Sequence, residues 1–293
     1  MRAPIVWRLS HARTVQIAVR NPLVMAILNC TPDSFSDGGA HNDPEGACTY
    51  AESALASGAD IIDIGGESTR PGSTSVPCDE QIARTRPVTE RLARAHATAI
   101  LSIDTTRAEV ARAALDAGAT IVNDVSAGAD DAALWPLIAA RGCGYVLMHR
   151  LCAPSEDSYS DQYRQPPRYE SSGGDVVAHV CAWLSARAEL AQSAGIARES
   201  IAIDPGLGFG KSVAQNVALV ERMSEVVALG YPVVVSASRK SFLGALTGES
   251  DPRGRDAASV TVALAMSRSG VAVVRAHDAA RHREALRSQG DSA

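Results

Sequence analysis

Eight short runs of β-branched and other apolar residues recur along this chain, each leaving a polar residue at its exit and separated from the next by an amphipathic stretch. The runs are Val24–Asn29, Ile61–Ile64, Ile100–Asp104, Thr120–Asp124, Tyr145–His149, Ile201–Asp204, Val233–Ser236 and Val271–Arg275. Their nearly continuous apolar character marks parallel strands covered on both faces, because a half-exposed strand would alternate. Every interval is long enough for a right-handed crossover. An open doubly wound sheet usually stops at about five or six strands. Eight units therefore predict an α/β fold of the closed TIM (β/α)8 barrel type. The series has no break, so residues 1–293 read as a single domain with its core at 23–288.

Local signals fill in that outline. Thr106-Arg-Ala-Glu109 reads as a capping box, Val110, Ala113, Ala114 and Ala117 as one apolar helix stripe, and Gly118 as its left-handed stop. Before Pro22, residues Ile5, Trp7, Leu9, Val15, Ile17 and Val19 alternate in the strand manner, which predicts an N-terminal β-hairpin at the barrel base. The longest interval between strand exits, from residue 148 to residue 204, contains Leu151–Gly174, rich in Ser, Pro, Asp, Tyr and Arg and without a helical stripe. That composition predicts a long loop at the catalytic end, read as a mobile lid.

Charge and composition narrow the partners. Lys plus Arg number 28 against 33 Asp plus Glu, a net charge of −5, which gives no pull toward nucleic acid or anionic membrane. The aromatic residues form no basic-aromatic stripe for stacking single strands. The best apolar run, Val226–Ala237, is interrupted by Gly230 and Pro232 and falls short of the ~18 residues of a membrane span. Leu23–Leu28 is too short for the central region of a signal peptide, so a cytoplasmic protein is expected. The six cysteines contain no Cys-x-x-Cys pair and are assigned neither disulfide nor metal.

In such barrels chemistry is built from the C-terminal strand ends. Asn29, Asp63, Asp104, Asn123, Asp124, His149, Asp204, Arg239, Lys240, Arg275 and His277 are therefore expected to converge on one mouth. Any one of them can simply cap a helix, but capping does not call for cationic clusters facing several carboxylates. Asp104, Asn123 and Asp204 suit the donor and acceptor edge of a flat nitrogen heterocycle, with Lys240 on a ring carbonyl. Asn29, Arg70, Arg275 and His277, with the Asp33–Gly39 loop, suit phosphates. Gly206-Leu-Gly-Phe-Gly-Lys-Ser212 has three rather than four residues between its first Gly and the Gly-Lys pair, so it predicts a tight strand-to-helix turn, not a nucleotide loop. No histidine spacing matches a zinc site; a metal here is expected to be hydrated Mg²⁺ bridging phosphates.

Seven segments, in order over about residues 23 to 280, resemble the dihydropteroate synthase family of pterin-binding enzymes. They are Ile27–Gly39, Gly58–Gly72 with Glu67-Ser-Thr-Arg-Pro-Gly72, Ser102–Thr105, Ile121–Asp124, Asp204–Lys211 with Asn216, Ser238-Arg-Lys-Ser241, and Val274–Asp278. The resemblance implies a transferase of folate biosynthesis, a sulfonamide target, that joins para-aminobenzoate to a dihydropterin methyl diphosphate and releases pyrophosphate. It also implies that Asp104, Asn123, Asp204 and Lys240 hold the pterin and that Asn29 meets Mg²⁺. Arg275 and His277, helped by Arg70, would grip the diphosphate. Thr69, Pro71, Phe35, Ser238 and Arg239 would form the aminobenzoate site, with Phe209 beside it. A homodimer is the family's habit, and the apolar face of Val260, Val262, Leu264 and Met266 suits either packing between protomers or, at least as well, burial within the barrel's helical ring. Two positions depart from the family pattern, Ser236 and Arg150. Two other readings stay open: a methyltetrahydrofolate methyltransferase-like enzyme, which does not need Ser238-Arg-Lys240 or Thr69-Arg-Pro71, and a non-catalytic pterin-binding paralogue.

Overall fold

A computed structural model describes residues 4–10, 12–31 and 44–290. Two antiparallel strands come first, β1 (Ile5–Arg8) and β2 (Thr14–Ile17), paired from Ile5↔Ile17 to Arg8↔Thr14. Eight parallel strands follow: β3 (Leu23–Asn29), β4 (Ile61–Gly65), β5 (Ile100–Asp104), β6 (Ile121–Asp124), β7 (Gly144–Met148), β8 (Ile201–Asp204), β9 (Val234–Val235) and β10 (Val273–Ala276). They pair in the order β8-β7-β6-β5-β4-β3-β10-β9, and a bridge between Ile203 and Val233 closes the ring. The helices are α1 (Pro44–Ala56), α2 (Cys78–Ala95), α3 (Ala108–Asp116), α4 (Leu134–Arg141), α5 (Val176–Ser193), α6 (Val213–Glu221), α7 (Met223–Val227), α8 (Ser241–Thr247), α9 (Asp256–Ser269) and α10 (Ala279–Gly290).

Successive strand residues face opposite sides, and here the two sides are the barrel interior and the helical ring. Val24, Ala26, Leu28, Ile62, Ile64, Val122, Leu147 and Ile203 belong to the outer core with the helices. Met25, Ile61, Ile100, Ile121, Val146, Ala202, Val234 and Val273 form a separate inner cluster. Trp7, Leu9 and Ile17 join that inner cluster. The hairpin therefore seals the base, as its alternation predicts, and the Trp7 indole donates to the Ser200 carbonyl at 2.9 Å. Two residues further along six of the eight strands the same inward positions turn polar: Asp63, Ser102, Asn123, Asp204, Ser236 and Arg275. The barrel thus has an apolar floor and a polar mouth, and within the strands parity decides which side chains reach it.

Several local expectations need correction. The capping box at Thr106 does not form: Arg107 holds the N-cap position without a side-chain cap. The Ala108 N–H instead donates to Asp131 at 2.7 Å, and the Arg107 N–H to the Thr105 hydroxyl at 3.2 Å. A carboxylate brought in from the next βα loop displaces the local hydroxyl. Of the two readings of the apolar face of α9, burial in the helical ring holds for most of it: Met266 is fully buried there, and Val262 and Leu264 pack against the same core. The segment Leu151–Gly174 is a long loop, but it is strapped down. Tyr169 donates to the Gly210 carbonyl at 2.6 Å, Gly72 N–H to the Pro154 carbonyl at 2.9 Å, and Gln215 to the Pro167 carbonyl at 2.7 Å. A groove of about 630 Å³ is lined by Gln165, Tyr169 and Gln215 and by none of the strand-exit residues.

Candidate active site

Register places Asn29 opposite Gly65, Gly65 opposite Asp104, and Asp104 opposite Asn123, one row across four neighbouring strands. A methyl group on Gly65 would come within 3.8 Å of Asn29 Oδ1 and 3.9 Å of Asp104 Oδ2, so the bare glycine keeps the space between them open. Asp63, fully buried one layer below, accepts from Asn123 Nδ2 at 2.9 Å and from Arg275 Nε at 2.6 Å. Arg275 Nη2 reaches Asp104 Oδ2 at 2.7 Å. One guanidinium is thereby fixed between two carboxylates, an arrangement that only a planar fork of donors can make.

Burial sets the ionisation of these groups. It pushes the Asp104 carboxyl up from the usual range, against the opposing pull of Arg275. Asp204 is likewise raised by burial although it accepts the Gly206 N–H at 2.7 Å. Burial disfavours the charge of Arg275, yet Asp63 and Asp104 more than offset this and keep it cationic. The Lys240 ammonium is lowered to about 8 by burial, with Asp204 opposing. It donates to the Leu207 carbonyl and sits 4.3 Å from the centre of the Phe209 ring. His277 is lowered to about 3, by burial first and then by Arg239, Arg275 and Arg70. At neutral pH its imidazole is uncharged, so the cationic character expected of it comes from Arg275 and the exposed Arg70. His277 Nδ1 lies 3.0 Å from the Ser238 hydroxyl, which also accepts the His277 N–H, and Tyr50 on α1 donates to its carbonyl at 2.6 Å.

The turn after β8 behaves as its spacing predicts. Gly206, Gly208 and Gly210 all take positive φ, between 66° and 79°. Lys211 is fully buried and donates to the carbonyls of Gly206 and Phe209, both at 2.9 Å, so it shapes the turn rather than binding phosphate. Ser212 caps α6 in a complete capping box with Gln215. The loop carrying Thr69, Arg70 and Pro71 is held at its root by Glu67, which accepts from Val76 N–H at 2.7 Å and from Gln81 at 3.3 Å.

A family model described as pterin binding enzyme matches residues 25–277. A dihydropteroate synthase of Mycobacterium leprae is 43% identical over 272 residues, covering 91% of this chain and 92% of that one. The chain belongs to the dihydropteroate synthase family of pterin-binding enzymes. Among solved members, a Xanthomonas albilineans dihydropteroate synthase with 4-aminobenzoic acid superposes with a TM-score of 0.87 at 38% identity, covering 99% of this chain and 98% of that one. A second Xanthomonas albilineans structure, in complex with 7,8-dihydropteroate, gives 0.81 at 36% identity, covering 97% and 98%.

Within this family member the mouth gathers Asn29, Asp104, Asn123, Asp204, Ser238, Lys240, Arg275 and His277. Asp124 and His149 do not join them. Asp124 faces the helical ring, where it accepts from Ser126 N–H at 2.7 Å and Tyr145 at 2.9 Å. His149, also on the outer side, lies 3.0 Å from Lys211 Nζ and edge-on to Trp183. The Arg239 guanidinium is spent on Asp256 in a two-pronged pair at 2.7 and 2.8 Å, so its charged head is not free for a ligand. Arg150 pairs with Asp130 across two rim loops, and Ser236 is buried under the strand exit. Phe35 and the Asp33–Gly39 loop lie outside the described residues. Asp63 and Asp256 emerge as structural partners of the site arginines; the inward parity of Asp63 is readable from its strand, whereas Asp256 gives no local signal.

Proposed function

We propose that this chain is a dihydropteroate synthase: it condenses 6-hydroxymethyl-7,8-dihydropterin diphosphate with para-aminobenzoate to give 7,8-dihydropteroate and pyrophosphate. The observation that carries this reading is the polar mouth above an apolar floor, with Arg275 bracketed by Asp63 and Asp104 beside the open Gly65. Asp104, Asn123 and Asp204 supply acceptors and an amide in one plane-reading set for the pterin edge. Lys240 meets the ring carbonyl from the far side of the cup. Arg275, with His277, Ser238 and Arg70, receives the diphosphate; its Nη1 makes no hydrogen bond among the described residues and is free to donate. The aminobenzoate site would draw on Thr69, Pro71, Phe209 and Ser238.

The chemistry needs no strong base. The bond from the pterin methylene carbon to the diphosphate oxygen breaks, its electron pair leaving with pyrophosphate, and the arylamine lone pair forms the new C–N bond before a proton passes to solvent. A methylene beside an electron-rich ring tolerates positive charge, so the protein gains most by fixing donors where negative charge collects on the leaving group and by holding the ring in line. No group of three or more His, Cys, Asp or Glu able to hold a metal exists among the described residues. Asn29, with its single carboxamide oxygen, would be the residue to hold a hydrated Mg²⁺, a hard cation that accepts oxygen donors. Bound there, the ion would neutralise charge on the departing diphosphate.

A coupled pyrophosphate assay with and without para-aminobenzoate tests the reading: release that requires both substrates is expected. Pterin diphosphate binding without release would instead indicate a non-catalytic pterin binder. No helix among the described residues is long and apolar enough to cross a membrane. Cytoplasmic residence and a homodimer complete the proposal, the latter checked by sedimentation.

A further inference from the structure

Ser160 sits in the long loop after β7 and is almost fully buried, although no motif pointed to it. Its backbone N–H donates to the Ser241 hydroxyl at 2.9 Å, immediately after Lys240. Its own hydroxyl accepts from Asn216 Nδ2 at 3.1 Å. Asn216, also fully buried, accepts the Gly208 N–H on its Oδ1 at 2.7 Å, and its Nδ2 also donates to the carbonyls of Lys211 and Ser212 at 3.0 and 2.8 Å. Gly208 lies directly under the Lys240 stem: a methyl group on it would come within 2.7 Å of Lys240 Cδ. The flanking residues of that turn supply the two partners of the ammonium, the Leu207 carbonyl and the Phe209 ring. The same loop braces the turn a second time, where Asp157 accepts the Gly210 N–H at 2.8 Å.

We propose that Ser160 is a positioning residue for Lys240, joining the side chain of Ser241, next to that lysine, and, through Asn216, the glycine turn beneath it into one unit. A buried residue bonded on both sides is a rigid link: the Ser160 N–H holds the Ser241 hydroxyl and the Ser160 hydroxyl holds the Asn216 amide, and removing that hydroxyl cuts the link on the side of the turn. A side chain held by such links keeps its head group at a fixed height, which is what recognition of one ring carbonyl requires. Ser160 touches no substrate in this scheme; it acts through Lys240. The proposal rests on the reading of Lys240 as a pterin contact.

Steady-state kinetics on the full chain test it with Ser160→Ala, Ser160→Thr, Lys240→Ala and the Ser160→Ala/Lys240→Ala double variant. Expected is a rise of at least fivefold in KM for the pterin diphosphate in Ser160→Ala, with KM for para-aminobenzoate within twofold of wild type. Ser160→Thr, which keeps the hydroxyl, should restore most of the pterin KM. In the double variant the Ser160 change should add nothing beyond Lys240→Ala, as expected for residues acting in series. A wild-type pterin KM in Ser160→Ala, a comparable rise for both substrates, or a full additional rise in the Lys240→Ala background would overturn the proposal. A normal pterin KM in Lys240→Ala alone would instead remove the assignment of Lys240 on which it stands.

Discussion

Arg275 and Asp63, 212 residues apart in the chain, meet at 2.6 Å at the centre of the barrel mouth. Asp63 is fully buried and also takes the Asn123 amide, so one carboxylate fixes both a cation and the amide proposed to face the pterin. Asp63→Asn keeps the shape but leaves the guanidinium without its deeper counterion. A loss of about 3–5 kcal/mol in unfolding free energy is expected from breaking a buried pair, with turnover down at least tenfold. Urea unfolding with a pyrophosphate assay reads both, and an unchanged midpoint would refute the structural half.

Lys240→Ala and Arg275→Ala each remove a donor that the proposed function aims at substrate. Losing one preorganised donor commonly costs one to three orders of magnitude in rate, so at least a tenfold fall in turnover is expected for each. Near-wild-type rates in both variants would remove the site assignment.

Gly208 takes φ +79°, and a methyl group there would press on the Lys240 stem at 2.7 Å. Gly208→Ala therefore meets two penalties, left-handed backbone strain of about 1 kcal/mol or more and a displaced lysine. The pterin KM should rise severalfold while the far-ultraviolet circular dichroism stays unchanged. An unaltered KM would show that the lysine has other room to sit.

Lys211 is fully buried, and burial lowers it to about 7 from 10.5. Because the folded value lies below the unfolded one, its contribution to stability is complete above about 10.5 and is lost as pH falls through about 7. Between those limits the unfolded chain carries the extra proton, so stability rises with pH by on the order of 1 kcal/mol per pH unit from this group. Comparing denaturant midpoints of wild type and Lys211→Met from pH 7 to 10 should show that extra slope in the wild type alone. Parallel profiles would contradict it.

Trp7 is fully buried under the barrel and reaches the Ser200 carbonyl from the hairpin. Trp7→Ala is expected to cost about 3–5 kcal/mol through the cavity it leaves. At low temperature turnover should stay close to wild type, since the apolar floor separates this residue from the mouth. A large loss of activity in the folded variant would show that the base and the mouth are coupled.

The strand repeat was legible because a parallel strand buried on both faces must be apolar nearly throughout, and the mouth was legible because strand exits are where a barrel places chemistry. Asp124 and His149 show where exit position alone misleads. Each follows an inward residue, Asn123 or Met148, and a side-chain period of two then turns it to the helices. Thr106 shows a second kind of failure: its capping pattern was present, but Asp131 arrived from another loop and took the amide. Arg239 shows a third, for its partner Asp256 belongs to a helix whose approach no local pattern announces.

By itself the sequence determined the number of strands, the sealed base and the set of polar residues at the exits, because those follow from local periodicity and from what burial demands of each side chain. Only the tertiary structure decided which of them meet: that Arg275 bridges Asp63 and Asp104, that His277 loses its charge, and that Lys240 rests on the Gly206–Gly210 turn. Those outcomes depend on distances between segments remote in the chain and on the water excluded around them, and neither is encoded at any single stretch.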